Sequence, residues 1–130
     1  FVASLSDYDQ KMFEDETTNR MKDSVYLFRD ICANPAFAET PIILFLNKRD
    51  LFQKKIRDVR IGGEGCFRDY DGPPNDYAAG VDYFLRYFLK QNRDPDRKVF
   101  HHVTCATDTA NVQVVMDSTR AMIIQDSLNF

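Results

Sequence analysis

Five apolar residues in a row, Ile42-Ile43-Leu44-Phe45-Leu46, run straight into the polar tetrad Asn47-Lys48-Arg49-Asp50. A strand with one wet face alternates apolar and polar side chains. An unbroken branched and aromatic run fits a strand covered on both faces, as in a parallel sheet. Parallel neighbours need crossovers, usually helical, and the flanking sequence supplies them. Residues 1–5 predict a short buried strand closed by the polar turn Ser6-Asp7-Tyr8-Asp9. The spacing predicts a helix over 10–33, with Met21, Val25, Phe28 and Cys32 on one face, ended by Asn34-Pro35. After the central strand come a short helix at 51–55 and a long surface loop at 57–74, rich in glycine and carrying two prolines. Asn75 or Asp76 caps a helix running to Asn92, whose stripe is Tyr77, Val81, Phe84, Leu85, Phe88 and Leu89. A charged turn at 93–98 leads into a third strand, 99–104. A last helix, 111–127, faces inward through Val112, Val115, Met116, Thr119 and Ile123. Strand and helix thus alternate three times, which predicts an α/β fold with a parallel sheet.

The 130 residues suit one domain, and 44% hydrophobic against 28% charged residues favours folding over disorder. A formal net charge of -3 provides no basic field, so nucleic acid is not an expected partner. The run Lys54-Lys55-Ile56-Arg57 reads as solvated surface. Cys32, Cys66 and Cys105 have neither zinc spacing nor even number, and a reducing compartment is expected. The longest apolar run, 42–46, is far too short to span a bilayer, and no signal peptide or prenylation box is visible. The opening Phe1-Val2-Ala3 reads as entry into the middle of a strand, so the expectation is a piece of a longer protein. Three strands make a poor sheet alone, and further strands are expected from the remainder.

In open α/β sheets ligands sit beyond the carboxyl ends of the strands. Asn47 to Asp50 and Thr104-Cys105-Ala106-Thr107 both fall there. Guanine presents two adjacent donors, its ring N–H and its exocyclic amine, and one ionised carboxylate accepts both. Adenine has no such pair and would leave the carboxylate unmatched, a discrimination of roughly 10⁴-fold or more. Asp50 suits this task. The aliphatic stem of Lys48 can lie over a flat base, and Asn47 can tie the two loops together. Small Ala106 lets the backbone approach closely, and its N–H can donate to guanine's carbonyl oxygen. Asp108 or Thr109 can cap the last helix. His101 and His102, adjacent in a strand, point to opposite faces and are expected to be packing or surface groups. Glu14, Asp15 and Glu16 read as helix-start charges.

Asn-Lys-x-Asp followed by Thr104-Cys105-Ala106-Thr107 resembles the guanine-specificity pair of heterotrimeric G-protein alpha subunits. Leu5 to Asp9, Ile42 to Lys48, Cys105 to Thr109 and Asn111-Val112-Gln113 extend the resemblance over essentially the whole chain. Small GTPases share the first motif but usually carry Ser-Ala-Lys at the second. The resemblance implies a parallel-sheet P-loop GTPase (Ras-like) fold, of which residues 1–130 are the C-terminal half, with three strands and three main helices. The phosphate-binding loop, helical domain and switch regions are expected to lie elsewhere. It implies that Asn47, Lys48, Asp50, Cys105, Ala106 and Thr107 bind guanine. The cofactors implied are GTP or GDP, with Mg²⁺ held by the other half. The implied partners are a beta-gamma dimer, a G-protein-coupled receptor at the last helix, with the turn at 93–98 as a further contact, and an effector at helix 10–33 and the loop 34–40. The implied location is cytoplasmic, peripheral on the inner face of the plasma membrane, through lipidation outside this segment.

No G-x-x-x-x-G-K-[ST] occurs. Gly62-Gly63-Glu64-Gly65 has no Lys-Ser/Thr after it and no strand-to-helix context, so it is not read as a phosphate site. No Gln stands in a D-x-x-G-Q setting, and the chain alone is expected to show no GTPase activity. The competing reading is a G-domain-like interaction module that has lost nucleotide turnover. The intact pair of loops argues for the switch.

Overall fold

A computed structural model describes residues 1–15, 17–63, 66–105, 113, 116–117, 119–121 and 124. The elements in chain order are β1 (Val2–Ser4), α1 (Arg20–Ala33), β2 (Ile42–Asn47), α2 (Arg49–Lys55), α3 (Tyr77–Leu89) and β3 (Val99–Val103). The three strands form one parallel sheet in the order β1-β2-β3. Ser4 pairs with Asn47 and Leu46 with Val103, so the carboxyl ends of all three strands line up along one edge.

The apolar run at 42–46 lies on the middle strand. Leu44 and Leu46 are fully buried and Ile42 nearly so, while Ile43 and Phe45 are half-buried. The first set faces a layer made by α1 and α3. There Phe28 of α1 and Phe88 of α3 meet edge-on at 5.8 Å, and Phe1 packs on Phe28 at 5.2 Å. On the other face Phe45 stacks on His102 at 5.8 Å, and His102 Nε2 lies 2.6 Å from Thr119 Oγ1 of the last helix. Both faces of β2 are therefore at least half-buried, which explains why its sequence does not alternate.

The α1 helix starts ten residues later than its sequence suggests. Residues Leu5–Asp9 form a turn of 3-10 helix, and Asn19 is the true cap, its side chain accepting from Lys22 N at 3.0 Å. Its amide also donates to Tyr8 O at 2.8 Å. Between these lies a closed loop. Met12 N donates to Thr18 O, Arg20 N donates to Gln10 O, and Asp15 accepts from both Thr17 and Thr18 hydroxyls. The acidic residues at 14–15 thus belong to this loop, where local side-chain bonds beat the helix; Glu16 lies outside the described residues.

Asp76 caps α3 by accepting from Ala79 N at 2.9 Å. Phe84 and Phe88 are fully buried as the stripe predicted, but Val81, Leu85 and Leu89 are only half-buried, and Gly80 joins the buried face against α2. The segment 57–74 is not simply surface, because Ile61 and Phe67 are core residues. Phe67 plugs a ring cluster with Phe84 at 5.1 Å and Tyr87 at 5.5 Å. The basic run is also only partly solvated. Lys55 reaches back to Ser6 O and Asp9 Oδ1, both at 2.8 Å, and Ile56 is buried. In the last helix Gln113, Met116, Asp117, Thr119, Arg120, Ala121 and Ile124 are helical. Thr119 is buried as expected, whereas Met116 is 48% exposed. One turn back, Met116 sits about 60° round the helix, and the contact with β3 falls on Thr119. Val112, Val115 and Ile123 lie outside the described residues.

Candidate functional site: a base-reading edge at the ends of β2 and β3

At the end of β2 the chain turns abruptly. Lys48 takes a left-handed conformation, φ 59° and ψ 40°, which costs an L-residue about 1–2 kcal/mol. That single kinked residue converts strand into helix at once, so α2 begins at Arg49, two residues earlier than the sequence suggests, and Asp50 lies in its first turn. A gradual exit would have carried Asp50 away from the neighbouring strand.

The end of β3 lies against this turn. Thr104 N donates to Leu46 O at 2.8 Å, continuing the ladder one step. Arg49 N donates to Thr104 O at 3.1 Å, and the Thr104 hydroxyl donates to Asn47 Oδ1 at 3.2 Å. The two loops are therefore stitched by three bonds, two of them backbone. Asn47 does tie them together, and its partner Thr104, buried at 4% exposure, is a site residue that base-reading logic passes over. Its signal was present: it opens the same tetrad. Arg49 enters the site through its backbone N–H, which no side-chain reasoning could have found.

The Cys105 side chain hydrogen-bonds the Asp50 carboxylate and holds it below the usual carboxylate range. Burial opposes this, while the N–H groups of Leu51 and Asp50 itself and the charge of Lys54 assist. Asp50 is therefore an ionised acceptor. This geometry brings Asn47, Lys48, Asp50 and Cys105 together around one edge of the sheet. Ala106 and Thr107 lie outside the described residues, as do Asp108 and Thr109.

A separate cleft of about 450 Å³ is lined by Arg29, Asp30, Cys32, Ala33, Gln91, Arg93 and Asp94. It lies where α1 and α3 end, away from the strand ends that carry Asp50, and its mixed charges have no base-reading logic. Among the described residues no group of three or more His, Cys, Asp or Glu is placed to hold a metal ion, and no helix is long and apolar enough to cross a membrane.

The G-protein alpha subunit family model matches residues 1–123. This chain belongs to that family. It is 46% identical over 129 residues to the guanine nucleotide-binding protein alpha-17 subunit of Caenorhabditis elegans, and equally so to the Caenorhabditis briggsae protein of that name. It is 46% identical over 128 residues to the alpha-3 subunit of C. elegans. Each match covers 98% of this chain but 35% of the relative, so the chain spans about a third of the length of these alpha subunits. The small parallel sheet and its helices agree with part of a P-loop GTPase α/β fold. As part of a G-protein alpha subunit, this segment carries the strand-end pair whose geometry is given above.

Proposed function

We propose that this chain is the guanine-reading part of an alpha subunit that switches between GTP- and GDP-bound states and relays activated receptors to effectors. The observation that supports this best is the stitched pair of loops. Asn47 and Thr104 are bonded at 3.2 Å beside an Asp50 carboxylate held ionised by Cys105. In this reading Asp50 accepts guanine's ring N–H and amine, and the Lys48 stem covers the base face. Cys105, Ala106 and Thr107 supply the second loop, with the Ala106 N–H directed to the guanine carbonyl. The residues present fit a guanine base, because the acceptor is charged, partly shielded and already oriented by a neighbour.

The bound nucleotide supplies the phosphates for hydrolysis. The residues that hold them, the Mg²⁺ and the attacking water are assigned to parts of the protein outside residues 1–130, which contain no Lys-Ser/Thr phosphate loop. The partners in this reading are a beta-gamma dimer, a receptor at the last helix and the turn 93–98, and an effector at α1 with the loop 34–40. The protein sits peripherally at the inner face of the plasma membrane through lipidation elsewhere in its sequence. Because the second base loop runs directly into the last helix, a receptor that moves this helix would loosen the base contacts.

The test is Asp50→Asn in the full-length protein, with GDP and xanthosine diphosphate binding measured side by side. Asparagine offers one donor and one acceptor, which matches xanthine's edge and mismatches guanine's. Guanine affinity is expected to fall by at least about 100-fold, with xanthine overtaking it. An unchanged preference for guanine would refute the assignment.

A further inference from the structure

The last turn of α1 contains no basic residue, although helix C-terminal carbonyls lack intrahelical partners and favour positive charge. The cation comes from 65 residues away. Arg97, in the turn before β3, donates from Nη1 to Cys32 O and from Nη2 to Phe37 O, both at 2.7 Å. The first bond caps α1; the second holds the 3-10 turn Pro35–Phe37 that follows it. Phe37 O also accepts from Thr40 N at 3.1 Å, so one guanidinium fork holds both the end of α1 and the middle of the loop that carries the exposed Phe37. Arg97 Nε is buried without a hydrogen-bond partner; that unpaired N–H is a cost, while the same withdrawal from water strengthens the two bonds to carbonyls. The nearby Cys32 thiol is pushed up by burial and pulled back by the same Arg97 charge.

Arg97 is itself held by a built turn. Its N–H donates to Asp94 O at 3.2 Å. Asn92 Nδ2 donates to Asp94 O at 3.2 Å and to Arg97 O at 3.3 Å. Asp96 N donates to Asp94 Oδ1 at 2.9 Å. The turn that aims the arginine and the loop that receives it belong to different crossovers of the sheet, and Arg93 and Asp94 on one side face Cys32 and Ala33 on the other across the 450 Å³ cleft.

We propose that Arg97 is a strap that makes the shape of the loop 34–40 depend on the turn 92–97. This rests on the reading above, in which the loop docks an effector and the turn meets a receptor. It adds that the two surfaces are mechanically joined without passing through the guanine site. Lysine cannot replace the strap, since a point charge reaches one carbonyl where the planar fork spans two.

The test is a double-mutant cycle read by amide hydrogen exchange in the full-length protein, with GDP retention measured alongside. Arg97→Ala is expected to speed exchange at Ala38 and Thr40 by about tenfold, with Arg97→Lys intermediate and β2 unchanged. Asn92→Ala, which touches neither amide, should speed the same two severalfold, and should add nothing in the Arg97→Ala background. Additive effects, a lysine variant as protective as arginine, or faster exchange spreading equally into β2 would each overturn the strap. Exchange does not require a partner or a base preference. A failure of the guanine reading, seen as indifference to GDP in the unsubstituted protein, is therefore separate from a failure of the strap.

Discussion

Substituting Gly80 by alanine sets two effects of known size against each other. Gly80 sits inside α3, where alanine is preferred by about 0.8–1.0 kcal/mol, so an open site would be stabilised. Here the new methyl would lie 2.8 Å from Ile56 Cδ1, 2.9 Å from Phe52 Cζ and 3.2 Å from Ile61 Cδ1. The first two are well inside any real carbon contact, so something must move by over half an ångström. Phe52 cannot easily do so, being fully buried and packed edge-on by Tyr8 at 5.3 Å and Phe84 at 6.0 Å. Forced overpacking costs roughly 1–3 kcal/mol. Taking about 2 for the clash against about 1 for the helix, Gly80→Ala should destabilise by about 1 kcal/mol. Because Phe52 and Ile56 hold α2, whose first turn carries Asp50, GDP affinity should also drop severalfold. The assay is urea unfolding of the full-length protein at fixed GDP concentration, with Ile56→Val as the second arm. Valine removes Cδ1, the nearest atom, so the pair should be less destabilised than the sum of the singles. A stabilised Gly80→Ala, or strict additivity with Ile56→Val, would refute the packing argument.

Two further predictions concern the half-buried His102 and the buried Asn19. Burial, with a smaller push from His101, holds His102 below its ordinary value of 6.5. The unfolded chain therefore takes up this proton first, so stability is level above about pH 6.5 and declines as pH falls through the folded-state pKa, where it levels again. Melting temperature followed from about pH 8 to 5.5 should show that decline, and His102→Gln should flatten it; an equal slope in both proteins would rule it out. Asn19 both caps α1 and donates to Tyr8 O, so Asn19→Ala should cost about 2 kcal/mol, one for each role. Asn19→Asp keeps the cap and should recover roughly half in the same urea assay; no difference between the two variants would assign the whole loss to the bond with Tyr8 O and refute the capping role.

The central strand and the Asn47 to Asp50 turn were readable because burial on both faces leaves a direct mark on composition. The α3 stripe was readable for the same reason, through its period. What failed was local. Gln10 to Thr18 looks helical by charge and length, yet Asp15 closes on Thr17 and Thr18, and Asn19 takes the capping role. Nothing in a periodicity distinguishes these competing side-chain bonds. Phe67 and Ile61 were hidden in a glycine-rich stretch whose composition signals exposure, because two anchored side chains do not change an average. Within the site, carboxylate chemistry pointed to Asp50. The left-handed Lys48 and the Arg49 N–H bond to Thr104 are backbone events that side-chain identity does not encode.

Asp50 follows the middle strand of the described sheet, which is hydrogen-bonded along both edges, whereas Cys105 follows a strand bonded along one. Within the described sheet, the two positions therefore have unequal backing. Under the proposed function, the carboxylate that would select the base stands on the more fully bonded strand, and the loop beside it on the less bonded one. In that reading, substitutions after β3 can alter how long a nucleotide stays while the carboxylate's own preference for a two-donor edge is kept.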